Sequence, residues 1–328
     1  MIDLVIIGAG PIGLACGLEA KKKGLSFKII DKGCITNSIY NYPLNMTFFS
    51  TSDKLEIGDV PFVSIQSKPN RSEALEYYRR VAQLMKSDLR LFEQVKGIHK
   101  TEFGFEIQTA KEKIISKYII IATGFYDKPV MLDIKGEHLE KVRHYFFDAH
   151  YYAFQKVLVI GSNNSAVDAA LECYRKGAEV TMVIRELSFT DRVKYWAKPD
   201  IENRCKEGSI KAYFNSELSE IREHEVIIQT PEGSKILEND FVLSMTGYQP
   251  DTSFLQNAGI SLKNKYPNEP YYNPMTMESS AKNIFLAGVI CGGMHTHIWF
   301  IENSRVHAEM IMNEINVREK NLIYSINK

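Results

Sequence analysis

The chain has 328 residues, of which 45% are apolar, and its forty basic and forty acidic side chains cancel. That length suits about two domains with ordinary cores, and the balanced charge excludes the one-sign surface that attracts nucleic acid or anionic lipid. Five cysteines, Cys16, Cys34, Cys173, Cys205 and Cys291, form no CxxC or CxxH pair, which excludes a local zinc knuckle or vicinal redox dithiol. A strand beginning at residue 2 leaves no room for a signal or transit peptide, so no membrane partner and a cytoplasmic location are expected.

Ile2 to Ile7 reads as a buried strand and Gly8-Ala9-Gly10-Pro11-Ile12-Gly13 as a turn. A helix to Lys23 follows, stopped at Gly24, and then a second apolar strand ending at Asp31 and Lys32. Three glycines at this spacing, after a strand and ahead of a helix, let a pyrophosphate approach backbone N–H groups at the positive helix end. Asp31, eighteen residues past Gly13, is placed to accept from ribose hydroxyls. This is a dinucleotide site.

Residues 32 to 61 follow neither helical nor strand periodicity and hold many aromatics and turn formers, which suits a cofactor-facing loop region containing Tyr42 and Thr47. The spacing then predicts an amphipathic helix from Ser72, as N-cap, to about Lys86. Short strands are expected near 105–109 and 114–116, and a further one from Lys117 to Ile121 runs into Ala122-Thr123-Gly124, small residues that let the backbone pass close to a dinucleotide.

At Lys156 the opening pattern repeats: a strand from Val157 to Ile160, a turn through Gly161-Ser162-Asn163-Asn164-Ser165-Ala166, a helix to about Lys176 with Gly177 as its stop, and a strand ending at Arg185. Asn163 replaces the middle glycine, and its expected tolerance rests on the ease with which Asn enters the left-handed region. Arg185 stands where the first unit has Asp31, and a guanidinium there pairs with a 2′-phosphate, which favours NADPH over NADH, with Lys194 as a second contact. Residues 210 to 246 alternate like antiparallel strands, with a strand from Asp240 running to Thr246 and Gly247. The strand near Phe285 ends in Ala287-Gly288-Val289, and Trp299 to Asn316 reads as one last helix.

Two dinucleotide units in one chain imply hydride transfer between their cofactors, FAD in the first and NADPH in the second. The order of these motifs resembles the two-dinucleotide-domain flavoprotein superfamily that includes thioredoxin reductase. The expected fold is therefore α/β, two Rossmann-like domains with the NADPH domain (123–247) inserted in a discontinuous FAD domain (1–122 and 248–328). More narrowly, Ile39-Tyr40-Asn41-Tyr42-Pro43, Thr47-Phe48-Phe49-Ser50, His144-Tyr145-Phe146, Asn164-Ser165-Ala166 and Phe300-Ile301-Glu302-Asn303 look like the YpdA-type family of bacillithiol-disulfide reductases.

That resemblance implies an NADPH-dependent FAD enzyme that reduces a low-molecular-weight disulfide, and a homo-oligomer, dimer or tetramer, is expected. Family members typically carry a cysteine between the proline and last glycine of the first motif, whereas Ile12 stands here and cannot exchange disulfides. Cys291, past Gly288, is either a substitute thiol whose pKa a helix N-terminus would depress or a small buried filler, and His144 is either a proton donor near the substrate or a hydrogen-bonded structural histidine. Superfamily members commonly have an Asp after the terminal Ala-Gly to bind the ribityl chain. With Val289 in that place, such contacts come partly from backbone. Alternatives that need no cysteine are a flavin monooxygenase or NADPH oxidase and a ferredoxin-type NADP reductase. No metal set is expected, since His295 and His297 lack completing ligands.

Overall fold

Apolar runs without alternation suit strands covered on both faces, and in the computed structural model, which describes residues 1–264 and 268–326, they form the centres of two sheets. The chain divides into two units. Met1–Tyr40, Thr47–Lys128 and the residues from Tyr248 onward form the first, and Asn41–Met46 with Pro129–Gly247 forms the second. The division therefore falls after Lys128 rather than Ala122, and the segment carrying Tyr42 belongs with the second unit.

In chain order the first unit opens with strand β1 (Ile2–Ile7), helix α1 (Pro11–Lys22), β2 (Phe27–Ile30), and the short helices α2 (Asn37–Tyr40) and α3 (Ser52–Leu55). Helix α4 (Arg71–Gln83) and strands β3 (Leu89–Arg90), β4 (Val95–Thr101), β5 (Gly104–Thr109), β6 (Lys113–Ile121) and β7 (Lys128–Pro129) complete this stretch. The second unit contains β8 (Val142–Arg143), β9 (Lys156–Ile160), α5 (Asn164–Arg175), β10 (Glu179–Val183), α6 (Lys198–Lys206) and β11 (Lys211–Tyr213). Its remaining strands are β12 (Glu217–Ile221), β13 (Glu225–Thr230), β14 (Gly233–Glu238) and β15 (Phe241–Ser244). Returning to the first unit, the chain forms β16 (Tyr248–Gln249), α7 (Thr252–Asn257), β17 (Ile284–Leu286), α8 (Ile301–Ser304) and α9 (His307–Ile326).

The first sheet runs β3-β2-β1-β6-β5-β4. β6 is one continuous strand rather than two short ones: its first half pairs antiparallel with β5, and Ile119–Ile121 pairs parallel with β17. β1 lies on its other edge with Ile7 opposite Ile121. The ends of β1, β6 and β17 consequently come out side by side at one edge of the sheet. Leu4, Val5, Ile6, Ile29, Ile30, Ile119, Ile120 and Phe285 are wholly or almost wholly buried. In the second unit, β11-β10-β9-β15-β8 is entirely parallel and β12-β13-β14 forms a separate antiparallel sheet. The antiparallel expectation for residues 210 to 246 thus holds for β12 to β14 only, because β11 and β15 flank the dinucleotide-type strands.

Helix α4 starts two residues earlier than its spacing predicts. Asn70, not Ser72, is the cap: its side chain accepts the Glu73 N–H at 2.9 Å and Glu73 accepts the Asn70 N–H at 2.9 Å, which satisfies two otherwise orphaned donors. The last helix is broken at Arg305–Val306, where Arg305 Nη1 donates to the carbonyls of Asp53 and Glu56 and Val306 is left half exposed. α9 is tied back to the turn before β17 by Arg318, which donates to both Glu278 oxygens (2.6 and 2.7 Å), to Asn283 Oδ1 and to Glu314. Arg318→Met should lower the first unit's stability by about 1–3 kcal/mol, read by urea denaturation, because it strands Glu278 without its charge-assisted partner; Arg318→Lys, lacking the planar fork, should restore only part of the loss.

Candidate functional site

The turn after β1 is shaped by contacts that only glycine permits. Gly8 has φ +113°, and a Cβ on it would lie 2.4 Å from the Ala122 carbonyl oxygen; a Cβ on Gly13 would lie 1.9 Å from the Gly8 oxygen. These two glycines bring α1 against the ends of β1 and β6, as the motif requires. Gly10 is different. A Cβ there would meet nothing within 4 Å, so its lack of a side chain serves open space at the N-terminus of α1 rather than packing. Pro11 occupies the first helical turn, where its missing N–H costs nothing. A phosphate cradle that a side chain would fill is thus present, and it fits the pyrophosphate of a dinucleotide.

Asp31 stands beside this turn. Its Oδ2 accepts the Ala9 N–H at 2.7 Å and its Oδ1 accepts the Gly33 N–H at 2.8 Å, fixing the carboxylate while leaving each oxygen a further lone pair. Burial raises its pKa, and the two backbone donors oppose that rise. Thr36 was missed by sequence reasoning. It is buried with φ +49° and donates its N–H to the Ala9 carbonyl at 2.9 Å; a β-branched residue in that region is strained by roughly 1–3 kcal/mol, which collects at functional turns.

At the neighbouring strand ends, Ala122, Thr123 and Gly124 are half-buried, and Gly124 turns with φ +74°. Gly288 turns with φ +83°, and a Cβ on it would lie 3.2 Å from Ile12 Cγ1. Ile12 therefore packs on this turn and is buried. The buried Gly288 N–H finds a partner in His307, whose Nδ1 accepts it at 3.2 Å. Val289 is half-buried beside it. Thr47 bridges to Asn70, and Lys32 pairs with Asp127 at 2.9 Å.

The second cradle repeats the geometry in the second unit. Gly161 has φ +121°, and its Cβ would lie 2.7 Å from the Met245 oxygen and 3.2 Å from Ala166 Cβ. Asn163 caps α5 with φ −98° and ψ −175°. The expected left-handed Asn is thus not what the turn demands: Gly10 is also extended, with φ −72°, so this middle position needs no positive φ in either copy. The Asn163 Oδ1 accepts from Thr190 Oγ1 at 2.6 Å. Asn164 donates to the Arg192 carbonyl at 2.9 Å and accepts the Lys194 N–H at 2.8 Å. Together they clamp residues 190–194 onto the start of α5, with Ser165 in its first turn.

Ser162 donates to Glu186 Oε2 at 2.8 Å. Arg185 is exposed, and among the described residues no ion pair engages its guanidinium. Lys194, expected as a second phosphate contact, is engaged within the chain. Its ammonium pairs with Asp168 at 2.6 Å on a side chain only 10% exposed, so it is committed internally. Arg192 is exposed in the same clamped segment. Gly247 turns with φ +98° after β15.

The lowered pKa expected for Cys291 is not found. Cys291 is fully buried, and burial pushes its thiol pKa up rather than down. A backbone hydrogen bond opposes that rise without reversing it. The other thiols are also shifted upward by burial: Cys16, Cys34, Cys173 to about 12 and Cys205 to about 11. His144 lies in the second unit with Nε2 3.8 Å from Glu137 Oε1, and burial lowers its pKa. That Glu137 carboxylate is already used to accept the N–H groups of Leu132 and Asp133, which gives His144 a structural setting. Among the described residues no group of three or more His, Cys, Asp or Glu could hold a metal, and no helix is long and apolar enough to cross a membrane.

Residues 5–288 match the model of a family described as pyridine nucleotide-disulphide oxidoreductase. The chain is 43% identical over 317 residues to bacilliredoxin reductase Bdr of Bacillus subtilis, covering 96% of this chain and 98% of that one. Among solved structures it resembles bacillithiol disulfide reductase Bdr (YpdA) from Staphylococcus aureus, with 40% identity, TM-score 0.94 and coverage of 97% and 98%. The Bacillus cereus counterpart gives 42% identity, TM-score 0.94 and coverage of 97% and 99%.

The two glycines of the first cradle should separate experimentally. Gly10→Ala should leave the melting behaviour of the apo chain nearly unchanged, within about 1 kcal/mol, yet strongly weaken dinucleotide binding, whereas Gly13→Ala should fail to give a stably folded first unit. Thermal melts with and without added dinucleotide check both. His307 supplies a pH test. Burial pulls its pKa from 6.5 down to about 4, so the unfolded chain binds the extra proton, and stability is full above about pH 6.5 and declines as pH falls towards 4. The loss is about 3 kcal/mol, and His307→Asn should flatten the stability profile across that window.

Proposed function

Because the chain belongs to the pyridine nucleotide-disulphide oxidoreductase family, we propose that its first unit holds FAD, its second holds NADPH, and that it reduces a low-molecular-weight disulfide of the bacillithiol type. The family works with FAD and NAD(P)H, and its members are flavin-dependent oxidoreductases. The observation that carries the cofactor assignment is the difference between two cradles of one topology. The carboxylate of Asp31 beside the first suits ribose hydroxyls, and the exposed Arg185 beside the second suits a 2′-phosphate.

In the first unit, the open space at Gly10 would take the pyrophosphate at the start of α1, Asp31 would hold the adenosine ribose, and the Ala122–Gly124 and Gly288–Val289 turns would meet the rest through backbone. Bound FAD would supply a carrier able to take a hydride from a nicotinamide and release two electrons to an acceptor. In the second unit, Gly161 and Ser162 would face the pyrophosphate, and Arg185 after β10 together with Arg192 in the loop clamped by Asn163 and Asn164 would meet the 2′-phosphate. The net reaction is NADPH, a proton and a disulfide giving NADP⁺ and two thiols. A cytoplasmic location and a homo-oligomeric dimer or tetramer complete the reading.

One feature supports a second acceptor class. Ile12 replaces the cysteine typical of the resembled family, and burial raises the pKa of each of the five thiols, so a thiolate is not in place for exchange at neutral pH. An electron acceptor such as ferredoxin requires none. Anaerobic reduction by NADPH followed by reoxidation with bacillithiol disulfide, ferredoxin or oxygen decides among them: rapid reoxidation by the disulfide supports the first reading, and rapid reoxidation only by ferredoxin or only by oxygen overturns it.

Arg185→Ala should raise KM for NADPH about 10- to 100-fold while leaving KM for NADH within about twofold, since one charge-assisted phosphate contact is lost. Equal effects on both nucleotides would remove the assignment. Cys291→Ser should leave disulfide turnover essentially unchanged, as measured by NADPH consumption.

A further inference from the structure

The Gly288 turn depends on a residue nineteen positions further along the chain. β17 runs beside β6 with Leu286 opposite Ile121, and the Ala287 N–H donates to the Ile121 carbonyl at 3.0 Å. At the next residue the chain swings to φ +83°, against Ile12 in the first turn of α1. The Gly288 N–H thereby leaves the sheet ladder and would be buried without a partner. His307, the first residue of α9, takes it on Nδ1 at 3.2 Å.

The imidazole is buried on every side and has the Trp299 ring edge-on at a centroid distance of 4.6 Å. Burial keeps it neutral at ordinary pH, and an accepting Nδ1 requires the ring proton to sit on Nε2. A neutral imidazole at this place acts as a fixed acceptor. It joins the start of α9 to a turn that abuts the glycine cradle through Ile12.

We propose that His307 is a positioning residue for the flavin site: by accepting the Gly288 N–H it fixes the Gly288–Val289 turn, whose backbone makes the contacts an acidic side chain would otherwise make. This rests on the reading that the first unit holds FAD. Val289 has no polar atom to offer, so the site depends on where its main chain lies. His307 touches the turn itself. Its loss should therefore be felt as a change in how FAD is held.

The test uses the full chain, stripped of flavin and titrated with FAD while following flavin fluorescence and the visible absorption band. His307→Phe removes the acceptor and leaves a buried donor unsatisfied, and should raise the Kd for FAD about tenfold or more and shift the band. His307→Asn places an amide oxygen near the position of Nδ1 and should stay within about threefold of the parent. A role in packing alone would lower the melting temperature of the apo and FAD-loaded chain by the same amount, with Kd and spectrum unmoved, and that result overturns the proposal. Should His307→Phe not fold, His307→Gln, with its oxygen one bond further out, substitutes: weaker FAD binding than in His307→Asn supports the proposal, and equal binding in parent, Asn and Gln variants overturns it. A parent chain that binds no FAD at all would instead refute the underlying cofactor reading.

Discussion

The first unit is organised by the approach of α1 to the end of β1, so close that a single added carbon at Gly13 would lie 1.9 Å from the Gly8 carbonyl oxygen. That contact needs a small residue on the helix and a positive φ at Gly8, and it holds the first helical turn beside the strand ends of β6 and β17. Everything proposed for the cofactor follows from it. The open space at Gly10, the carboxylate of Asp31 bonded to Ala9, and the Gly288 turn packed on Ile12 are all referred to the position of one helix end. The second unit repeats the device with Gly161 and Ala166, which shows that the turn tolerates a different middle residue as long as the close approach is kept.

Electrostatics then separates the two copies. In the first, a half-buried carboxylate is held by two backbone donors, and in the second a polar clamp from Asn163 and Asn164 holds a segment that carries the exposed Arg192. The chain's thiols take no comparable part. Burial disfavours the charged form of a cysteine, and Cys291 and Cys16 are fully enclosed in the first unit. Ile12 occupies its position for packing, with its side chain against Gly288. The reactive groups of this protein are, on this account, its cofactors, and the residues supply shape, phosphate contacts and a fixed backbone.

Much of this was legible in the sequence because glycine spacing, strand and helix order, and the terminal acid or arginine all lie within single short stretches. The strand ends at Ala122 and Gly288 could be recognised for the same reason, each being an apolar run into small residues. What the sequence did not show depended on partners far along the chain. The Asp168 partner of Lys194 lies twenty-six residues away, and the full burial of Cys291 comes from packing that its own stretch of sequence does not encode. His307 carries no local signal: it falls inside an apparently continuous helix, and its role depends on a glycine in another element. The cap at Asn70 was missed for a smaller reason. Ser72 is an equally good capping type, and only the reciprocal bonds with Glu73 distinguish them.

The most direct test of the central claim is to load the purified chain with FAD, remove the excess, and mix it with NADPH in the absence of oxygen while following the flavin absorption. The account requires a yellow protein with stoichiometric FAD that is bleached by NADPH faster than by equal NADH. A chain that stays colourless after incubation with FAD, or a bound flavin that neither nicotinamide nucleotide reduces, would contradict it.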